Sequence, residues 1–400
     1  MERTYTPNRS PSSATRTFHL AITLGNRSTT TIRNTRGKAG KTTEYCCGNY
    51  WNLSQKKDIP TGQWRAKEEI DKADEPMKYT QLGQTSLTVS KVCYGTWQFG
   101  GDWGSFEVQE AQAAIRQALE LGITFFDTAQ AYGFGKSEQV LGEALRSELR
   151  SHRDKITIAT KGGLRMEGTQ LVRDSSARWL HRGVEESLRN LAVDYIDLYQ
   201  VHWPDPRTPF AETAEALEQL VQAKKIRYVG VSNFDVAQMS NFEKTKKIDT
   251  LQPPYHLFRR DIEQDVLPYC QAHGIGVFVY GPLAHGLLGG RYTPQTTFAS
   301  DDWRSKSPAF RGELFDRNLA VVARLKGLAE RQAMTVAQLA IAWVLANPAV
   351  DVAIIGARHP KQLTDTAPAA GVKLSQETLQ EIATIIKNAA PTGGPSPEAM

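Results

Sequence analysis

Four side chains with complementary proton chemistry stand at, or just beyond, the ends of three successive apolar, β-rich runs of this sequence. Asp127, Lys161 and His202 each directly follow one of these runs. Tyr132 comes five residues after Asp127, on the segment that must turn away from the first run. Because the carboxyl ends of the strands in a parallel barrel meet at one mouth, we expect the four side chains to converge there.

Together these residue types suit proton transfer to a carbonyl oxygen. A tyrosine phenol has an ordinary pKa of about 10, and a lysine ammonium beside it lowers that pKa by stabilising the phenolate. A carboxylate paired with the lysine holds it in place. We therefore predict that Tyr132, tuned by Lys161 and Asp127, donates a proton to a carbonyl oxygen whose carbon receives a hydride. A neutral His202 would hydrogen-bond the same oxygen and orient the substrate.

Each of the four residues also has an ordinary structural interpretation. Asp127 could cap the helix that follows it, and Lys161 could be a solvated surface charge. His202 could be a hydrogen-bonded structural histidine, and Tyr132, beside a glycine, could be a turn aromatic. It is their joint placement at three successive strand ends that indicates a catalytic site.

The segments that would position these residues alternate between strand-like and helix-like patterns. The predicted strands are 92–96, 123–126, 156–160, 195–201, 227–231, 249–252, 276–279 and 352–355. The predicted helices are 107–121, 137–149, 178–191, 211–223, 235–243, 262–272, 314–331, 335–346 and 375–387. Eight such units predict an α/β fold, a single-domain (β/α)8 TIM barrel over residues 77–390. The alternative is an open doubly wound sheet, but no Gly-x-Gly-x-x-Gly follows any predicted strand.

Charge and cysteine content limit the classes of function. The formal net charge is +5, yet residues 77–400 hold 35 basic and 35 acidic side chains, so the predicted barrel is neutral. That balance argues against nucleic-acid binding, which needs a clustered basic face. No apolar run approaches the roughly 18 residues that span a bilayer. The cysteines suit a reducing compartment, and hence a cytoplasmic protein; they are Cys46, Cys47, Cys93 and Cys270.

Both ends of the chain differ from the middle in amino-acid composition. Residues 1–76 carry the whole positive surplus, and residues 1–66 are rich in Ser, Thr, Arg and Asn. Such a composition cannot bury enough apolar surface to fold, so we expect residues 1–76 to be disordered. Two interpretations of this segment compete. We favour a start codon assigned too far upstream, which would make Met77 the true first residue, over an organelle-targeting segment in residues 1–66. Residues 391–400, rich in Pro and Gly, are also expected to be disordered.

Several segments, in order, resemble the aldo-keto reductases. Residues 122–133 (GITFFDTAQAYG) are similar to the first signature of that family. Further family motifs are matched by 194–202 (DYIDLYQVH), 230–234 (GVSNF) and 355–358 (IGAR). Two stretches, 198–206 (LYQVHWPDP) and 251–255 (LQPPY), are most similar to bacterial NADPH-dependent members of the general stress protein type. The resemblance covers about 78–388.

The resemblance implies catalytic roles for Tyr132, Lys161, Asp127 and His202, and an NADPH that lies extended over the barrel mouth; no metal ligand is predicted. The residues implied to hold the nicotinamide are Ser232, Asn233, Gln252 and Tyr280. Those implied to hold the phosphates and the adenosine end are Gly281, Pro282, Leu283, Gly286, Arg291, Gly356, Arg358 and Gln362. An arginine at 358 favours the 2′-phosphate of NADPH.

Aromatic residues on the predicted mouth loops indicate the substrate. Trp97, Trp103 and Trp203 would line a pocket for small-molecule carbonyl compounds with an apolar part. The expected reaction is reduction of an aldehyde or ketone to an alcohol, by a monomer or weak oligomer. Two other classes stay open. One is a cofactor-binding regulatory protein with little turnover, and the other is Schiff-base chemistry on Lys161 with no nicotinamide.

Overall fold

A computed structural model describes residues 77–397. The strands in that range are β1 (Tyr79–Gln81), β2 (Thr88–Ser90), β3 (Val92–Gly95), β4 (Phe125–Asp127), β5 (Thr157–Gly162), β6 (Leu164–Glu167), β7 (Gln170–Arg173), β8 (Ile196–Val201), β9 (Ile226–Ser232), β10 (Thr250–Gln252), β11 (Gly276–Val279) and β12 (Val352–Gly356). Eight of them form a closed parallel barrel in the order β3-β4-β5-β8-β9-β10-β11-β12, with β12 paired to β3. The predicted (β/α)8 barrel is confirmed, and the open doubly wound sheet is wrong.

Helices connect the barrel strands on the outside. In chain order they are α1 (Val108–Glu120), α2 (Lys136–Ala144), α3 (Arg146–Ser151), α4 (Ala177–Leu191), α5 (Phe210–Gln222), α6 (Val236–Glu243), α7 (Val266–His273), α8 (Gly312–Arg331), α9 (Val336–Leu345), α10 (Pro360–Thr366) and α11 (Gln376–Ile385). The helix predicted over 137–149 is two helices that meet at Leu145, and the one predicted over 262–272 begins as a 3₁₀ turn at Asp261–Glu263. α10 was not predicted from the sequence, because it has only seven residues and so shows little periodicity.

Two antiparallel hairpins were also missed. β1 and β2 pair across the amino-terminal end of the barrel, where the backbone at Gly83 lies against Gly276, the first residue of β11. β6 and β7 pair beyond β5, at the opposite end. Their strands are three or four residues long, too short for a strand alternation to stand out.

Alternation along the strands divides the core into two layers. Inside the barrel, Phe125 and Phe278 lie with ring centroids 5.2 Å apart, and Cys93 and Ala159 belong to the same cluster. The next residue along a strand, such as Phe126 after Phe125, packs outward in the helix-facing core. Asp127 comes two residues after Phe125, and Lys161 comes two residues after Ala159. Because side chains alternate along a strand, Asp127 and Lys161 also point into the barrel. The site residues are therefore aimed at the barrel axis by strand geometry.

Residues 391–397, expected to be disordered, are placed against the barrel. The side-chain amide of Asn318 accepts from the Ala390 backbone N–H at 2.8 Å and donates to its carbonyl at 3.1 Å. Two residues later, the Thr392 N–H donates to the Phe258 carbonyl at 3.2 Å. Composition alone could not reveal these partners, which come from distant parts of the chain. The predictions for residues 1–76 and 398–400 lie outside the described residues.

No helix within residues 77–397 is both long enough and apolar enough to cross a membrane.

Two helix-interior glycines give a matched test of the packing. A Cβ on Gly142 in α2 would meet the Leu191 backbone carbonyl oxygen at 2.5 Å, whereas a Cβ on Gly327 in α8 meets nothing within 4 Å. We expect Gly142→Ala to lower the free energy of unfolding by roughly 1–3 kcal/mol, and Gly327→Ala to raise it by about 0.5–1 kcal/mol. Urea unfolding of the two variants checks this. A Gly142→Ala protein as stable as Gly327→Ala would contradict the close α2–α4 approach.

Candidate active site

A cavity of about 770 Å³ opens at the carboxyl ends of the barrel strands. Of the predicted catalytic residues, Asp127, Tyr132 and His202 line it, and Lys161 lies buried just behind them. All twelve predicted cofactor residues line this same cavity, and so do Trp97, Trp103 and Trp203. The structure thus brings together residues that are more than 260 positions apart in the chain, from Trp97 to Gln362.

Lys161 is the centre of the catalytic group. Its Nζ donates to Asp127 Oδ2 at 2.7 Å, to the Thr128 carbonyl at 2.8 Å, and to the Tyr132 hydroxyl at 3.3 Å. Three N–H bonds thus meet three acceptors, which is the full donor capacity of an ammonium group. Asp127 is held in turn by the side-chain amide of Gln252, which donates to its Oδ1 at 2.8 Å. The lysine is a fixed charge beside the phenol, and the surface interpretation of Lys161 is wrong.

Burial, more than Lys161, sets the proton affinity of Tyr132. Loss of water raises the pKa of Tyr132 well above its ordinary value, and the negative charges of Asp127 and Asp102 raise it further. This corrects the lowering expected from the sequence, which counted the lysine but neither the burial nor the carboxylates. Asp127 also cancels much of the Lys161 field, because the two groups are in contact. The phenol is therefore protonated at neutral pH, as a proton donor must be.

His202 lies edge-on to Tyr132, with ring centroids 5.6 Å apart and an interplanar angle of 81°. Burial lowers the pKa of His202 well below its ordinary value, and the charge of Lys161 lowers it further. In the part of the chain described, its Nδ1 atom is buried with no hydrogen-bond partner. The ring is thus neutral and has hydrogen-bonding capacity to spare, beside the Tyr132 hydroxyl to which Lys161 donates.

The residues predicted to hold the nicotinamide form one hydrogen-bonded group at the ends of β9 to β11. The Tyr280 hydroxyl donates to Asn233 Oδ1 at 2.9 Å, and Asn233 Nδ2 donates to the His202 carbonyl at 3.0 Å. The Ser232 hydroxyl donates to the Gln252 carbonyl at 2.7 Å. The group therefore connects the residues predicted to hold the nicotinamide with the predicted catalytic residues, through His202 and Gln252.

The loop after β11 holds an unusual backbone. Ala284 and His285 have φ angles of 46° and 55°, followed by Gly286 at 97°. Non-glycine residues in this left-handed region each cost of order 1–3 kcal/mol and concentrate where ligands bind. Three arginines line the cavity around this loop: Arg291, Arg304 and Arg358. A positively charged, tightly turned loop of this kind suits a ligand with phosphate groups.

Two loops that lie over the cavity contact each other, which was not predicted from the sequence. Trp103 and Asp302 form an antiparallel bridge, and the Trp303 N–H donates to the Asp102 carbonyl at 3.2 Å. We call residues 97–104 and 300–304, joined in this way, the latch. Arg304 sits within it, with its guanidinium 4.5 Å from the Trp103 ring centroid and its Nε donating to Asp302 Oδ1 at 2.9 Å. The Trp, Phe and Arg side chains that cluster in 298–310 are the sequence signal that could have predicted a contact of this segment with the barrel mouth.

Comparisons with known proteins agree with this architecture. A model of the Aldo/keto reductase family matches residues 91–387. The chain is 42% identical over 314 residues to Aldo-keto reductase YhdN of Bacillus subtilis (strain 168), across 78% of this chain and 94% of that protein. It is 32% identical over 319 residues to the NADH-specific methylglyoxal reductase of Escherichia coli (strain K12), across 75% of this chain and 95% of that protein.

A solved structure extends the comparison to the fold. The glycerol dehydrogenase AKR11B4 from Gluconobacter oxydans matches with a TM-score of 0.72 and 38% identity, across 80% of this chain and 98% of that one. The chain therefore belongs to the aldo/keto reductase family, as the sequence motifs indicated. It is an oxidoreductase of carbonyl compounds that uses a nicotinamide cofactor.

The neutral state of His202 predicts a particular pH dependence. Since burial and Lys161 hold the pKa of His202 well below its usual value of about 6.5, acidification should not protonate the ring in the neutral range. We expect kcat/KM for carbonyl reduction to show no inflection from His202 between about pH 6 and 8. The measurement compares pH profiles of the wild type and His202→Gln. An inflection near pH 6.5 that disappears in the variant would mean that the ring titrates.

Proposed function

We propose that this protein reduces aldehydes and ketones to alcohols with NADPH, and that Tyr132 is the proton donor. The observation that carries the proposal is the buried chain of contacts from Asp127 through Lys161 to the Tyr132 hydroxyl, with a neutral His202 ring beside it. A protonated phenol at the cavity wall, backed by a fixed ammonium, is suited to giving up a proton in the transition state.

Each side chain has a separate task in this mechanism. His202 and the Tyr132 hydroxyl hydrogen-bond the carbonyl oxygen and hold its carbon in position. When bound, the nicotinamide supplies the hydride to that carbon. Tyr132 transfers its hydroxyl proton to the oxygen as negative charge develops there, and Lys161, 3.3 Å away, stabilises the phenolate that remains. Asp127 keeps Lys161 at this distance and does not exchange protons with the substrate.

The residues of the cavity fit a dinucleotide. The cavity runs from the catalytic group past the Ala284–Gly286 turn to Arg358, just after β12, and Gln362, in α10. Ser232, Asn233 and Gln252 would hold the carboxamide, and Tyr280 would face the ring. The left-handed turn and Arg291 would hold the pyrophosphate. This placement supports the roles that the family resemblance implied for these residues.

The preference for NADPH rests on Arg358. Its guanidinium donates to the Trp103 carbonyl, which leaves further N–H groups for a 2′-phosphate. Burial lowers the pKa of Arg358, and the nearby Arg304 charge lowers it further, so an anion there would relieve the repulsion between the two arginines. The family alone does not decide the preference, since the similar Escherichia coli protein is described as NADH-specific.

The alternative classes are less well supported. Schiff-base chemistry needs a neutral amine with a free approach, whereas Lys161 is 1% exposed and makes three hydrogen bonds. A regulatory protein with little turnover would not need the complete catalytic group. We also propose a cytoplasmic location, which is supported by the unpaired, buried Cys93 and Cys270.

Tyr132→Phe tests the proton donor. The substitution keeps the ring beside Trp97 and His202 but removes the hydroxyl, so kcat with 4-nitrobenzaldehyde should fall by roughly 10²–10⁴-fold. The dissociation constant for NADPH, from a fluorescence titration, should stay within about twofold of wild type. Tyr79→Phe is the control, because that hydroxyl bonds Gly122 at the other end of the barrel. Near-normal turnover in Tyr132→Phe would rule out Tyr132 as the donor.

Arg358→Met tests the cofactor preference. Loss of a charge-assisted phosphate contact should raise the dissociation constant for NADPH by roughly 10–100-fold while NADH binding changes little. Lys306→Met removes an exposed charge from the loop before α8 without touching the cavity lining, and should leave both cofactors unaffected. Equal losses for NADPH and NADH in Arg358→Met would show that Arg358 acts on a part that the two cofactors share.

A further inference from the structure

One carboxylate in the cavity has no counter-ion. Asp102 lies on the loop between β3 and α1, and its half-buried side chain lines the cavity. Burial raises the pKa of Asp102, and the opposing effect is a hydrogen bond from the Trp97 indole; no positively charged group within residues 77–397 contributes. A partly buried charge without a counter-ion is unfavourable in the free protein. A ligand of opposite charge would relieve that cost.

The latch holds Asp102 in a fixed orientation. Its Oδ2 accepts from the Trp97 indole N–H at 3.1 Å. Trp97 is itself stacked on Tyr132 and on Trp303, with ring centroids 6.3 Å and 6.2 Å away. The Asp102 backbone is held too, because its carbonyl accepts from the Trp303 N–H at 3.2 Å. One carboxylate oxygen and the backbone are therefore fixed, and the other oxygen, Oδ1, is left for a ligand.

The other charged groups around Tyr132 do not compensate Asp102. Lys161 and Asp127 are in contact, so their charges largely offset each other. Burial lowers the pKa of His202 well below its ordinary value, so that ring is neutral. Asp102 is near enough for its negative charge to raise the pKa of Tyr132. The Tyr132 side of the cavity therefore carries a net negative charge, which comes from Asp102.

Two arginines that line the cavity have acidic neighbours of their own. Arg304 is paired with Asp302, since its Nε donates to Asp302 Oδ1 at 2.9 Å. The carboxylates whose charge acts on Arg358 are those of Asp302 and Asp301. Of the three aspartates on the latch, two thus face arginines. Asp102 is the one that faces the proposed proton donor instead.

We propose that Asp102 binds a positively charged group of the substrate. The protein then favours carbonyl compounds that carry a protonated amine or a quaternary ammonium group, and it disfavours those that carry a carboxylate. The carbonyl lies at Tyr132 and His202, and the positive charge lies at Oδ1 of Asp102. Partial burial weakens the screening of this pair by water and salt. The proposal rests on the carbonyl reduction proposed above and adds the charge of its substrate.

Two pairs of para-substituted benzaldehydes measure the effect of substrate charge. The cationic 4-(trimethylammonio)benzaldehyde is compared with the neutral 4-tert-butylbenzaldehyde, and the anionic 4-formylbenzoate with the neutral 4-nitrobenzaldehyde. The members of each pair differ in charge and hardly in shape. The assay records kcat/KM with NADPH for each aldehyde and takes the ratio of charged to neutral within each pair. Because every protein meets the same aldehydes, their intrinsic reactivities cancel when ratios are compared between proteins.

The proteins compared are the wild type, Asp102→Asn and the control Glu107→Gln. Asp102→Asn removes the charge but keeps an oxygen that can accept from Trp97. Glu107→Gln removes a negative charge from the same loop, at an exposed position that does not line the cavity. In Asp102→Asn the cation-to-neutral ratio should fall roughly tenfold or more, and the anion-to-neutral ratio should rise several-fold. The control should keep both wild-type ratios.

Two further measurements separate substrate charge from a structural effect. Binding of NADPH, titrated in all three proteins, checks folding. Added salt should lower the wild-type cation-to-neutral ratio and leave that of Asp102→Asn unchanged, because salt screens a charge that the variant lacks. Unchanged ratios in Asp102→Asn, or an equal loss with all four aldehydes, would overturn the role of Asp102. Absence of NADPH oxidation with every aldehyde in the wild type would instead overturn the proposed function.

Discussion

The contact between Lys161 and Asp127 is the constraint on which the rest of the site depends. Both side chains are almost fully buried, and a charge in such a place is costly unless it is paired and hydrogen-bonded. The structure meets this condition with three acceptors around the ammonium and with Gln252 and Gln200 on the carboxylate. Together with Lys161 itself, these groups come from four barrel strands or the loops after them. The charge pair therefore fixes the relative positions of the strand ends that carry the remaining site residues.

The same pairing distinguishes Tyr132, the proposed proton donor, from other buried tyrosines nearby. Tyr94 and Tyr199 are also fully buried, and burial raises the pKa of each. Tyr132 differs in facing the cavity and in contacting an ammonium that can stabilise its phenolate. Asp127 limits the effect of that ammonium in the resting protein. In the proposed proton transfer, the charge of Lys161 gains influence as negative charge develops on the Tyr132 oxygen, so its contribution belongs to that step more than to the resting state.

Much of the site could be predicted from the sequence, because the position of a strand end can be read from the residues next to it in the chain. Asp127 and Lys161 follow apolar runs directly, and alternation along β4 and β5 sends them inward without any knowledge of distant contacts. The pKa of Tyr132 could not be predicted, because it depends on how deeply the ring is buried. Nor could the latch or the placement of residues 391–397, which depend on partners such as Asp302 and Asn318 brought near only by the closed barrel. Short hairpins such as β6–β7 have too few residues for an alternation of apolar and polar side chains to be recognised.

The latch also gives the protein an optical property. Trp97 and Trp103 lie 5.0 Å apart at 88°, and Trp303 lies 6.2 Å and 5.9 Å from them. Indole transitions at such separations couple as excitons, so the three rings should produce a circular dichroism couplet that isolated tryptophans lack. Trp303 lies on one of the two loops of the latch and the other two tryptophans on the other. The couplet would therefore report, without any added label, whether these two loops are in contact.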